Sequence, residues 1–406
     1  MTAVTDDLPK DGFRLSMLIY DTRYRSLTIQ AVALILFMLG VAWLLNNAAQ
    51  NLAALGKPLS FGFLFEPAGY DINQRIIEYT SQSTHGRAAI VGLLNTLLVA
   101  VLGCILATII GVMVGVLRLS NNWIVSRLMT FYIEALRNVP VLLWIVLFMA
   151  IFIETLPQPR AFRGDDATAS MLLSDSVALT NRGFYIPRPE YYSGSWLVVA
   201  VFLLSIVAIV VFGRWARKRQ EDTGQILPTF WIKLGILLIP AMLVFYIMGQ
   251  PIGLEYPVLK GFNFTGGYYM RNSLIALWLA LSLYTAAFIA EAVRAGIQAV
   301  SHGQTEAAYA LGIRPGRTTQ LVVLPQALRV IIPPLISQYL NLTKNSSLAI
   351  AVGYMDVTGT LGGITLNQTG REMESLLLLM ACYLVISLTV SSFMNWYNNS
   401  IKLKER

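Results

Sequence analysis

Residues 292–330 read AVRAGIQAVSHGQTEAAYALGIRPGRTTQLVVLPQALRV, a stretch of mixed polarity set between two long apolar runs. Ser301 followed three residues later by Gln304 suits a capping box, and Glu306 places a carboxylate where it complements the helix dipole. Ala307, Ala308, Ala310 and Leu311 are strong helix formers. Gly312 fits a left-handed C-terminal cap, and Pro315 cannot continue the helix. The pattern predicts a short helix, a tight stop and a second helix from about Arg317. Two readings stay open on the pattern alone: a rigid small-residue knob projecting from a membrane, or a helix-turn-helix lying at the lipid interface.

The surroundings of this loop are membranous. The 406-residue chain is 56% hydrophobic and only 13% charged, against about one-quarter charged in soluble domains, and its mean hydropathy is +0.61. Crossing about 30 Å of hydrocarbon takes about 20 apolar residues as a helix. The clearest runs are 27–45 (LTIQAVALILFMLGVAWLL), 90–117, 195–213, 231–249, 273–291 and 375–394, with weaker ones at 139–155 and about 330–352. The first run is too long for a usual signal-peptide core and lacks a nearby small-x-small cleavage site, so it reads as a retained span.

Eight spans put both termini on one side. With that side inside, the inner segments hold 18 Lys and Arg and the outer ones 10 over a slightly greater length, which satisfies the positive-inside rule with cytoplasmic termini. Arg214, Arg217, Lys218 and Arg219 directly follow the fourth span, and Lys402, Lys404 and Arg406 follow the eighth. Within the second span Gly111 and Gly115 form a GxxxG, a packing face for another helix, with Gly103 on the same run. Residues 157–194, with Pro157, Pro159, Pro187, Pro189, Asp165, Asp166 and Asp175, read as a solvated outer loop.

Several functions are excluded by what the chain carries. Its +8 charge is spread between apolar runs rather than gathered into a stripe, which argues against nucleic acid as a partner and leaves membrane lipid as the surrounding medium. Cys104 and Cys382 lie inside apolar runs, and His85 and His302 stand apart with no ligand-spaced neighbours, so no metal site is expected. There is no HExxH or GxSxG, and no G-x4-G-K-[ST] phosphate loop, so the chain reads as a non-enzyme that binds no nucleotide cofactor itself.

The segment EAAYALG (Glu306–Gly312), nine residues, then VVLP (Val322–Pro325) resembles the EAA loop of bacterial ABC importer permeases, E-A-A-x3-G-x9-I-x-L-P, with Val322 for Ile as the one departure. The resemblance implies a type I ABC importer permease fold, all-α with about eight transmembrane helices in the bacterial inner membrane. It also implies that residues 302–312, through Gln304, Glu306, Ala307, Ala308, Ala310, Leu311 and Gly312, dock into a separate ATPase subunit, which uses the ATP and Mg. GLLNTLLVA (Gly92–Ala100), YIEALRNVPVLL (Tyr132–Leu143), AEAVRAGIQAV (Ala290–Val300), LPQALRVIIPPL (Leu324–Leu335) and LTKNSSLA (Leu342–Ala349) are similar to the polar amino-acid branch of these permeases.

On that comparison, residues 88–155 and 272–398 form the permease core. Residues 1–87 are an N-terminal addition, 156–271 an insertion with two extra spans, and 399–406 a cytoplasmic tail. The extra first span, the segment LLNNAAQNLAALG and the enlarged middle resemble the first permease of general L-amino-acid importers. That implies a heterodimer with a second, homologous permease and a periplasmic binding protein that delivers L-amino acids.

Where many relatives have Lys-Asp-Thr-Ser, this chain has Lys344, Asn345, Ser346 and Ser347. An ammonium at membrane depth costs about 2.5–3.5 kcal/mol on insertion scales, so it should face a partner or a wet cavity. Lys344 is therefore expected near the translocation pathway or a buried interhelical carboxylate, with Glu291 at the inner end of the sixth span as the nearest partner and a second candidate for the substrate pathway; the alternative is hydrogen bonding to backbone carbonyls freed by Pro333 and Pro334, away from substrate. Asn341, Thr343, Asn345, Ser346 and Ser347 are candidates for hydrogen-bonding a passing amino acid or for packing between helices. Glu134 and Arg137, three apart, suit a structural ion pair. The competing class is an ion-gradient-driven secondary transporter, which would call for inverted repeats and midplane acidic residues that the sequence does not display.

Overall fold

The computed structural model describes residues 17–401 except 21, 55, 57, 165, 166 and 226. The expectations placed on the first sixteen residues, on Asp165 and Asp166 and on Lys402, Lys404 and Arg406 lie outside the described residues. The long helices are α1 (Thr22–Ala54), α2 (His85–Arg118), α3 (Trp123–Asn138), α4 (Val141–Thr155), α5 (Ser195–Thr223), α6 (Thr229–Ile247), α7 (Asn272–Gln298), α8 (His302–Ala310), α9 (Leu324–Asn345) and α10 (Glu372–Ile401). Among the described residues seven helical stretches are long and apolar enough to cross a membrane, or up to eight if the pair α3–α4 counts as one. That pair bends by 106° at Pro140, which has no N–H to continue the ladder. Alone, α4 is 15 residues, about 22 Å, and falls short of the hydrocarbon thickness.

The core is organised around α7, of whose apolar window 72% is buried. Helices α2 and α7 run parallel and approach through the GxxxG face: a Cβ on Gly111 would lie 2.6 Å from Ile289 Cγ2, and one on Gly115 2.7 Å from the Ala290 carbonyl. Small residues permit this approach, and dispersion across it replaces a hydrophobic force that lipid does not supply. Val99, Ala107, Leu277, Leu281, Ile289 and Leu342 are fully buried in the resulting core. By contrast α1 has none of its window buried and α6 none of its own.

One difference from expectation concerns the insertion. Residues 157–194 are not simply a solvated loop. They contain β1 (Ala178–Thr180), β2 (Gly183–Ile186) and β3 (Arg188–Tyr191), which meet β4 (Ile252–Glu255), β5 (Val258–Lys260), β6 (Asn263–Thr265) and β7 (Tyr268–Arg271) from beyond the α5–α6 hairpin. The sheets are β1-β2-β7, β3-β4 and β5-β6, all antiparallel. Pro189 is tolerated because it faces Leu254 in a two-stranded pair with no inner strand to break. Tyr185, stacked on Tyr269 at 4.8 Å, and Phe264, edge-on to Phe162 at 5.3 Å, give this cap its own small core.

Candidate functional site

The elbow after α7 is built largely as its residues dictate. Gly312 takes φ +72°, Ile313 N–H donates to Ala308 O (3.1 Å) and Gly312 N–H to Tyr309 O (2.9 Å), which closes the carbonyls left open at the end of α8. Pro315 opens the next helical turn, Pro315–Thr318, two residues before the expected start at Arg317; its missing N–H is harmless at that position. The capping box does not form. Ser301 makes no side-chain cap, and Gln304 N–H instead finds the Ser301 carbonyl at 3.1 Å.

Gln304 and Gln326 side chains meet at 3.5 Å and tie α8 to α9. Of the docking candidates only Ala308 is buried; Gln304, Glu306, Ala307, Ala310 and Gly312 are exposed. Leu311 is 80% exposed at the tip beside the half-exposed Tyr309. The helix therefore presents an apolar tip that no described residue of the chain covers. A 540 Å³ cleft lined by Leu119, Gln298, His302, Thr305 and Val323 lies at its base.

Glu291 does not meet Lys344. Its carboxylate accepts from the guanidinium of Arg118 at the end of α2 and from Arg294, whose Nε stands 3.1 Å away, so the local i,i+3 partner and a neighbouring helix have taken it. Arg137 lies over the Phe288 ring at 5.2 Å rather than pairing with Glu134, which instead accepts from Asn138 Nδ2 (3.2 Å). This cluster clamps the ends of α2 and α7 beside the elbow.

The residues of the LTKNSS segment separate by helix face. Thr343 and Ser346 are buried and donate locally, to Tyr339 O (2.8 Å) and Thr343 O (2.7 Å). Lys344 is exposed and has no hydrogen-bond or ion-pair partner among the described residues; the carbonyls around Pro333 and Pro334 do not receive it. Ser347 is half-buried in the 3-10 segment Ser346–Val352 that follows α9. Asn341 and Asn345 join Gln338 on α9 and Tyr284, Thr285 and Phe288 on α7 around a 330 Å³ cavity. Gln338 and the three α7 residues were not singled out from the sequence. The 338, 341, 345 spacing, three then four residues, was the available signal, since it marks one helix face.

A second overlooked cluster lies at the far end of α2. Asn95 Nδ2 donates to Gln74 O (2.7 Å) and Met355 O (2.8 Å), Tyr354 OH donates to Asn95 O (3.2 Å), and Val357 N–H donates to Thr96 Oγ1 (3.1 Å). Asp356 accepts from Gly359 N–H (2.8 Å) and Tyr383 OH (3.2 Å). Burial pushes its carboxyl up to about 6, against the opposing pull of those hydrogen bonds. The polar pair Asn95-Thr96 inside an apolar run was the only sequence trace of this network.

Residues 221–403 match the family described as binding-protein-dependent transport system inner membrane component. The chain is 58% identical over its full length to the glutamate/glutamine/aspartate/asparagine transport system permease protein BztB of Rhodobacter capsulatus, and covers 100% of that protein. It is 45% identical to the general L-amino acid transport system permease protein AapQ of Rhizobium johnstonii, over 99% of this chain and 98% of that one. With the putative amino-acid ABC transporter permease protein YhdX of Escherichia coli it shares 43% identity, over 94% and 95%. The chain therefore belongs to the inner-membrane permease components of binding-protein-dependent ABC importers, in the branch that holds the amino-acid permeases.

Proposed function

We propose that this permease passes L-amino acids inward as one half of a heterodimer with a second, homologous permease, driven by a separate ATPase gripping residues 302–312 and supplied by a periplasmic binding protein. The carrying observation is the capped, outward-facing elbow: Leu311 80% exposed, Gly312 at φ +72°. Full-length likeness to relatives named for general and for acidic and amide amino acids supports the cargo class. ATP and Mg belong to the partner ATPase. The ATPase contacts in this reading are Gln304, Glu306, Ala307, Ala308, Ala310, Leu311 and Gly312, and the elbow end faces the cytoplasm, the side that the distribution of Lys and Arg favours.

Asn341 and Asn345, with Gln338 and Tyr284, line the path, and Lys344 turns toward the second permease on the open face of α9. ATP binding in the partner shifts the population between inward-open and outward-open arrangements, and in this reading the energy enters through α8 and passes to α7 and α9. The test is co-purification of the chain with its ATPase and measurement of ATP hydrolysis with and without binding protein. Stimulation lost on Leu311→Asp supports the reading, and stimulation unchanged by that substitution sinks it.

A further inference from the structure

At the N-terminal end of α7, far from the elbow, a 280 Å³ cavity is lined by Asn181, Arg182, Arg271, Asn272, Ser273 and Met149 among others. Its polar chemistry is incomplete in a directed way. Asn272, 2% exposed, spends Nδ2 on Thr180 O (3.3 Å) and Asn181 O (2.7 Å). Both amide hydrogens are thereby committed to the β1–β2 turn, which fixes which end of the amide is oxygen. That Oδ1 has no partner, nor do Asn181 Oδ1 or the Oγ of Ser273, which is 3% exposed. Three shielded oxygens without donors, on three residues that line one cavity, call for an explanation, since buried polar groups are nearly always paired.

The opposite need sits on the same wall. The Arg271 guanidinium has no hydrogen-bond or ion-pair partner among the described residues. Arg182 uses Nη1 on Phe262 O (3.3 Å), and its own carbonyl accepts from Tyr269 OH at 2.9 Å, so its backbone is held. Oxygens lacking donors beside a guanidinium lacking an anion complement one small solute that carries an ammonium and a carboxylate together. Met149 and Ile153 of α4 supply an apolar wall for the rest of it.

The geometry points to an entry subsite for a free α-amino acid, its carboxylate on Arg271 and its ammonium on the oxygens of Asn181, Asn272 and Ser273. It rests on the amino-acid cargo proposed above and adds a place for it. Four of its residues, Asn181, Arg182, Tyr269 and Arg271, come from the 156–271 insertion, which gives that insertion a task. The cavity at Tyr284 lies about 16 Å further along α7, eleven residues at 1.5 Å each, so a solute leaving the first would move down one helix to the second.

The experiment uses the assembled permease pair with its ATPase in nanodiscs, without binding protein, and reads tritiated L-glutamine binding by scintillation proximity. Wild type should bind, and L-glutamine methyl ester and N-acetyl-L-glutamine, each lacking one charge, should fail to compete. Arg271→Gln should weaken binding by about tenfold or more, as loss of a charge-assisted contact does, and Arg271→Lys by less. Asn181→Asp, which places a charge beside the ammonium, should hold or tighten binding, and serves should Arg271 variants fail to assemble. No binding by wild type, binding by Arg271→Gln within twofold of it, or competition by the ester equal to that of the parent would overturn the subsite. Should any of these occur while the wild-type complex still imports amino acids with its binding protein, the subsite alone falls; no amino-acid import at all removes the cargo reading.

Discussion

Gly312→Val isolates the elbow from everything else. No atom lies within 4 Å of a Cβ built at this position, so crowding contributes nothing and the penalty is that of the backbone alone. Holding an L-residue at φ +72° costs about 1–2 kcal/mol, with a β-branched side chain at the upper end. Relaxing that strain breaks the bonds from Gly312 and Ile313 to Tyr309 and Ala308. A cost of about 1–2 kcal/mol is a factor of about 5–30 in population, and the apparent affinity for a docking partner falls by the same fraction. ATPase binding to nanodisc-embedded permease, measured by surface plasmon resonance, should therefore weaken about 5–30-fold while the thermal midpoint stays put, because α8 contributes little to the core. Gly312→Asn, which tolerates the left-handed region, should recover most of the affinity. Unchanged affinity for Gly312→Val would refute the reasoning, as would equal damage from Asn and Val.

Gly115→Leu should destabilise the fold by about 1–3 kcal/mol or more, since its first carbon already meets the Ala290 carbonyl at 2.7 Å; a thermal midpoint in detergent equal to wild type would contradict the packing. Glu291→Gln should lower stability by about 1–2 kcal/mol, a value reduced by partial exposure, whereas Lys344→Met should leave stability unchanged; denaturant midpoints separate the two. Asp356 binds its proton more tightly folded than unfolded, its carboxyl lying at about 6. Its contribution to stability is thus full below about pH 4 and lost as pH rises through about 6. Asp356→Asn should flatten that part of the stability profile, and an unaltered profile would remove the assignment.

How far the sequence carried depends on whether a signal was local. Gly312, Pro315 and the alanines of α8 act on their own neighbourhood, and the elbow they specify is present. Gly111 and Gly115 needed only a partner helix, which α7 supplied. The β cap was invisible because Phe184 faces Met270 across the α5–α6 hairpin, a pairing of three- and four-residue strands that no periodicity announces. Pairing Glu291 with Lys344 rests on opposite charge in neighbouring spans, but Arg294 one turn away and Arg118 on the parallel helix take the carboxylate. Ser301 shows how a capping pattern yields when the backbone carbonyl itself takes the bond. The Asp356 network and the Asn272 cavity join residues hundreds of positions apart or across an insertion, and single polar residues in apolar runs gave no clue to their partners.

The most direct test reconstitutes the permease pair in proteoliposomes and follows labelled L-glutamine uptake with binding protein outside, with or without the ATPase and trapped ATP. Accumulation only when both ATPase and ATP are present, and its loss in Gly312→Val, is the expected result. Accumulation by the permeases alone under an imposed ion gradient would contradict the account.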